Sequence, residues 1–105
     1  MPVDSQDTLT HVAQSLLAAG GAPPEEAEII AGSLVGANLR GHDSHGVMRI
    51  PFYLAAVREG RIQPGSKLRV ERETPAILVC DGGWGFGQFL SHDLLGRLLD
   101  KAGQV

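Results

Sequence analysis

The stretch from Lys67 to Gln88, KLRVERETPAILVCDGGWGFGQ, sets the class of fold because the hydrophobic period changes within it. Leu68 and Val70 alternate with Arg69 and Glu71, Pro75 interrupts, and Ala76 to Cys80 runs apolar without a break. Alternation followed by a short apolar run between turn residues reads as two paired strands. Asp81-Gly82-Gly83 supplies a turn. Helical spacing resumes from Gln88 to Ala102, with Leu90, Leu94, Leu95, Leu98, Leu99 and Ala102 on one side and Gly103 as the stop.

Upstream of that stretch the period is helical throughout. Leu9, Val12, Ala13, Leu16 and Leu17 form the i, i+3, i+4, i+7, i+8 set of a one-faced helix, with Asp4 or Ser5 as its cap. Gly20 and Gly21 supply positive-φ positions to end it. Pro23-Pro24 then opens a second helix with Glu25 and Glu26 at its positive end. Ala27, Ile30, Ala31, Leu34 and Ala37 or Asn38 form its inner stripe, and Gly32 and Gly36 point to close packing against a neighbouring helix. A third helix runs toward Gly60. Pro51 either lies in its first turn, so that it starts near Met48, or bends it. Three helices, two strands and a helix make an α+β chain: a helical N-terminal unit over residues 1–66, then a hairpin and helix over 67–105. A two-stranded sheet is marginal alone, so further strands are expected.

Composition narrows the functions available. The chain has 105 residues, 43% of them hydrophobic, and a formal net charge of −3. With no basic excess and no aromatic residues interleaved with basic ones, nucleic acid is not an expected partner. No apolar run is long enough to span a bilayer, and the N-terminus has no basic region followed by an apolar one, so a cytoplasmic protein is expected. The single cysteine, Cys80, lies in an apolar run and reads as a buried, inert thiol.

The chemistry concentrates in Arg40 to Tyr53, RGHDSHGVMRIPFY. If the segment is helical from Ser44, then His45, Arg49 and Tyr53 fall at successive i, i+4 positions on one face. If the helix starts near Met48, His45 sits just ahead of it. Such a set suits a small carboxylic acid: a guanidinium for the carboxylate, with an imidazole and a phenol beside it. Each residue also has a plainer reading: His45 as a cap, Arg49 as a surface arginine, Tyr53 as half-buried packing. Arg40 and Asp43 are expected to pair and fix the loop. His42 and His45 make an H-x-x-H pair, but the spacing is not that of a helical metal site and no further ligands stand nearby, so no metal is expected.

These residues, together with EGRIQPG (Glu59 to Gly65) and PAILVCDGGWGFGQ (Pro75 to Gln88), resemble the N-terminal part of the malate/L-lactate dehydrogenase family. The resemblance covers nearly the whole chain. It implies an NAD- or NADP-dependent oxidoreductase acting on a small 2-hydroxy/2-oxo acid, homodimeric at full length. His45 would be catalytic, and Ser44, Arg49 and Tyr53 would contact substrate. Family members are much longer, so the resemblance also implies an N-terminal portion, inactive alone, with a mixed-sheet domain only begun at 67–105. Gly83, Gly85 and Gly87 alternate strictly and match no dinucleotide or phosphate-loop spacing; they read as a turn that brings Trp84 and Phe86 to the core, with Gly85 to Gln88 bordering a pocket. The rival to the enzyme is a noncatalytic α+β interaction module in which the histidine-rich loop is structural.

Overall fold

The computed structural model describes residues 5–103. Helix α1, Gln6–Ala19, begins where the Ser5 hydroxyl accepts from the Thr8 amide at 3.2 Å; Asp4, the other expected cap, lies outside the described residues. Helix α2 is Pro24–Leu39, with its proline in the first turn as expected. The two helices form the expected hairpin. Its connection differs in detail, since only Gly21 has positive φ, at 113°. Gly20 is helical, and a Cβ there would stand 2.3 Å from Leu54 Cδ2, so that the leucine side chain would have to shift.

Helix α3, Ile50–Arg58, starts two residues later than Met48, with Pro51 in its first turn, and Gly60 at φ 79° follows its end. Strands β1, Arg69–Glu73, and β2, Leu78–Asp81, pair antiparallel as read from the period change. Arg69 faces Asp81, and the register slips between Val70 and Arg72 to leave a bulge at Glu71. Helix α4, Gly87–Ala102, closes the order of elements, which is α+β as expected.

The core is one cluster. Ala13 and Leu17 of α1, Ala27, Ile30, Ala31 and Leu34 of α2, Ile50 of α3, and Phe86, Phe89 and Leu90 at the start of α4 pack together. Several expected core positions are not in it. Val12 and Leu16 are half-exposed, Leu95, Leu98 and Leu99 lie open along the second half of α4, and Cys80 is only partly buried. Helical spacing identifies an apolar side but not how much of it meets a neighbour. Gly32 and Gly36 do not mark close packing, because a Cβ on either would meet nothing within 4 Å.

The connection from α3 to β1 is pinned on both sides. The Gln63 amide donates to the Trp84 carbonyl at 2.9 Å, and the Ser66 hydroxyl to the Gly83 carbonyl at 3.1 Å. The Gly65 amide donates to Glu26 Oε1 at 3.2 Å. Glu26 is therefore not simply an acid at a helix's positive end: it is 1% exposed and ties α2 to this connection. Gly83 and Trp84 are left-handed at φ 60° and 63°, and the Gly85 amide bonds the Gly82 carbonyl at 3.1 Å, the pattern of a type I′ turn. Phe86 is carried into the core as expected; Trp84 is not, being 82% exposed.

Leu34→Ala should lower unfolding free energy by about 2–4 kcal/mol in urea melts, whereas Leu99→Ala should cost less than about 1 kcal/mol. Trp84→Gly relieves a left-handed side chain that contributes little packing, and should leave the thermal midpoint unchanged or raise it.

Candidate functional site

The segment between α2 and α3 is not one helix but two short 3₁₀ turns, Asp43–His45 and Val47–Arg49, separated by Gly46. A side chain on α2 sets this path. Asn38 Oδ1 accepts from the Val47 amide at 2.9 Å, while its Nδ2 donates to Asp43 Oδ1 at 2.9 Å. Both turns are thereby tied to α2. Asp43 is accordingly bound to Asn38 and not to Arg40, which makes no ion pair among the described residues. Gly46 is buried where the chain crosses Asn38, and a Cβ there would stand 2.2 Å from Asn38 Oδ1.

His45 lies ahead of α3 and Arg49 is its N-cap residue, so the single helical face carrying His45, Arg49 and Tyr53 does not form. The three side chains nevertheless share one open pocket of about 650 Å³, together with Arg40, His42 and Gln88. Ser33 and Ala37 of α2 form part of its wall. No aspartate or glutamate lines it. Two arginines, with two histidines beside them, thus place positive charge in one concavity of a chain whose net charge is −3.

Each group is oriented by a neighbour. Arg49 Nε donates to the Ser44 carbonyl at 2.7 Å, which leaves the two terminal guanidinium nitrogens as a fork, and its Cζ lies 5.9 Å from the centre of the Phe52 ring. Ser44 Oγ and His45 Nδ1 are 3.0 Å apart, which leaves Nε2 as the imidazole's second polar atom. The Tyr53 ring meets Phe86 edge-on, with centroids 6.1 Å apart and planes at 72°, and its hydroxyl accepts from Gln88 Nε2 at 2.9 Å. Sequence reading placed Gln88 only at the border of a pocket. What brings it in is the turn at Gly83-Trp84, which starts α4 beside α3.

No group of three or more His, Cys, Asp or Glu among the described residues is arranged to hold a metal. His11 on α1 and His92 on α4 are exposed and stand apart from this pocket. No helix among the described residues is long and apolar enough to cross a membrane.

Comparison with known proteins agrees with this architecture. The family model described as malate/L-lactate dehydrogenase matches residues 5–105, and the chain belongs to that family. The chain is 34% identical over 97 residues to hydroxycarboxylate dehydrogenase B of Escherichia coli K12, covering 92% of this chain and 27% of the relative. It is 43% identical over 68 residues to the (2R)-3-sulfolactate dehydrogenase (NADP(+)) of Chromohalobacter salexigens, covering 65% of this chain and 20% of the relative. Among solved structures, malate dehydrogenase from Pyrococcus horikoshii OT3 superposes with a TM-score of 0.91 at 33% identity, covering 100% of this chain and 32% of that one. The chain thus spans about a quarter of the length of the curated relatives it matches.

The brace at Asn38 generates a prediction. Gly46→Ala should displace the Asn38 side chain and break both of its bonds, as should Asn38→Ala. Each is expected to cost about 1–3 kcal/mol and to speed hydrogen exchange at the Val47 amide. Unchanged exchange at Val47 would mean that the turns hold themselves.

Proposed function

We propose that this chain supplies the acid-binding part of a dehydrogenase that moves a hydride between a nicotinamide, as NAD or NADP, and C2 of a small 2-hydroxy/2-oxo acid. The carrying observation is the pocket: Arg40, Arg49, His42 and His45 stand in one concavity without an acidic side chain. Family membership and the hydroxy-acid dehydrogenases among the relatives support the same reading. In this proposal residues 1–66 form the unit that bears the acid site and 67–105 begin the sheet-containing unit.

Arg49 holds the substrate carboxylate end-on through its two terminal nitrogens, because Nε is committed to the Ser44 carbonyl. Lysine has no such fork. When the Ser44 hydroxyl donates to His45 Nδ1, the proton of the neutral ring resides on Nε2, placed to polarise the C2 oxygen of an oxo acid. Ser44 acts through the imidazole in this arrangement, and Tyr53 offers a further hydroxyl to substrate. Binding of the carboxylate orients C2 before any chemistry occurs.

The glycine turn from Gly82 to Gly85 is not built to cradle a pyrophosphate. The Gly83 amide bonds Asp81 Oδ1 at 2.8 Å and the Gly85 amide bonds the Gly82 carbonyl, so neither is left to face an anion. The part assigned to these residues is to bind and orient the acid and to hold a proton at His45 Nε2.

Oxamate, a planar 2-oxo acid analogue, tests the reading by calorimetry on this chain. Binding should be saturable and should weaken with salt. Arg49→Ala should weaken it by roughly 10- to 100-fold, the scale of a lost charge-assisted pair, and Arg49→Lys should restore only part. A dissociation constant unchanged in Arg49→Ala would remove Arg49 from the site and leave the interaction-module reading in its place.

A further inference from the structure

The acid-binding proposal leaves the first turn of α4 without a role, yet Gln88 reaches from it into the pocket. Its Nε2 donates to the Tyr53 hydroxyl at 2.9 Å, a partly buried bond between residues 35 apart in sequence. A phenol oxygen that accepts an N–H keeps its own proton for a different acceptor. Among the described residues the Tyr53 hydroxyl has no such acceptor. The ring is held as well, with Phe86, 3% exposed, set edge-on against it. Tyr53 thus has its ring fixed by Phe86 and its oxygen engaged by Gln88, and the direction of the O–H is its remaining freedom.

We propose that Gln88 is a positioning residue: by occupying the acceptor side of the Tyr53 hydroxyl it turns that hydroxyl into a donor aimed at an oxygen of the acid held by Arg49. The inference rests on the acid-binding reading and extends it. Guanidinium fork, phenolic O–H and imidazole N–H together form an array of donors. Such an array matches a ligand whose facing oxygens only accept, namely a carboxylate and the carbonyl of a 2-oxo acid, better than one that places a hydroxyl proton there. Gln88 therefore favours the oxo acid of the pair. The placement depends on the connection between α3 and β1, because the bonds of Gln63 and Ser66 to the turn at Gly83-Trp84 hold α4 at the height where Gln88 meets Tyr53.

The test is a double-mutant cycle in this chain with Gln88→Met, an unbranched substitution close in length, and Tyr53→Phe, each checked for a cooperative thermal transition. Oxamate binding by calorimetry should weaken about three- to tenfold in Gln88→Met, the scale of one net hydrogen bond. In the Tyr53→Phe background the same substitution should change it less than about twofold, because Gln88 acts through the hydroxyl. Tyr53 is the only tyrosine in the chain, so 13C at its Cζ gives a single resonance that reports the hydroxyl's hydrogen bonding. Oxamate should shift that resonance in the wild type and shift it less in Gln88→Met. Gln88→Glu, whose carboxylate accepts the phenolic proton, should abolish the shift. If the effects of Gln88 and Tyr53 are independent, or Gln88→Glu leaves the shift intact, the positioning role is overturned while Arg49-dependent binding stands. If oxamate binding does not depend on Arg49, the acid-binding reading falls and this inference falls with it.

Discussion

One short side chain determines where the chemistry-bearing residues of this protein can stand. Asn38, near the end of α2, bonds the Val47 amide with its oxygen and Asp43 with its nitrogen, so that two 3₁₀ turns are fastened to a helix that is itself part of the core. His45 lies in the first turn and Arg49 ends the second. The approach is close enough that only a residue without a Cβ fits at Gly46. The pocket owes its shape to this brace more than to helical periodicity, and the guanidinium and imidazole are presented from backbone held by hydrogen bonds on either side.

The far wall of the pocket is set by a different device. The left-handed pair Gly83 and Trp84 reverses the chain after β2, and the connection at Gln63 and Ser66 is bonded to that reversal. Phe86 then enters the core and the next turn carries Gln88 toward Tyr53. Glu26, buried in α2, holds Gly65 within the same connection. Helix α2 thus anchors both walls, one through Asn38 and the other through Glu26, although these residues lie at opposite ends of it. Positive charge gathers between the walls because Arg40 and Arg49 line the pocket and no carboxylate does, Asp43 being turned to Asn38.

The sequence made the elements legible where local chemistry dictates them. Paired prolines and acids announce α2, the change of period announces the hairpin, and the pair Asp4 and Ser5 brackets the start of α1, which falls at Ser5. His45, Arg49 and Tyr53 were found by their residue types, and they do share a concavity. The route to it is legible only in part: of the two readings, a helix from Ser44 is prevented by Gly46 and Pro51, while a later start with Pro51 in the first turn and His45 ahead of it is what forms, and the two 3₁₀ turns have no local signal. Long-range bonds account for the other differences. Nothing local marks Asn38 as the partner of Asp43 in preference to Arg40, or Gln88 as the partner of Tyr53. Trp84 departs from expectation because a glycine-rich turn does not disclose which of its two aromatic neighbours points inward; Trp84, left-handed, lies in solvent and Phe86 fills the core.

The two borders of the hairpin differ in character. Strand β1 reads Arg-Val-Glu-Arg-Glu and is interrupted by a bulge, features that discourage another strand from docking alongside it. Strand β2 reads Leu-Val-Cys-Asp, carries charge only at its last residue and has no bulge. Growth of this sheet is therefore directional: a newcomer meets less desolvation of charge beside Leu78 to Cys80 than beside Arg69 to Glu73.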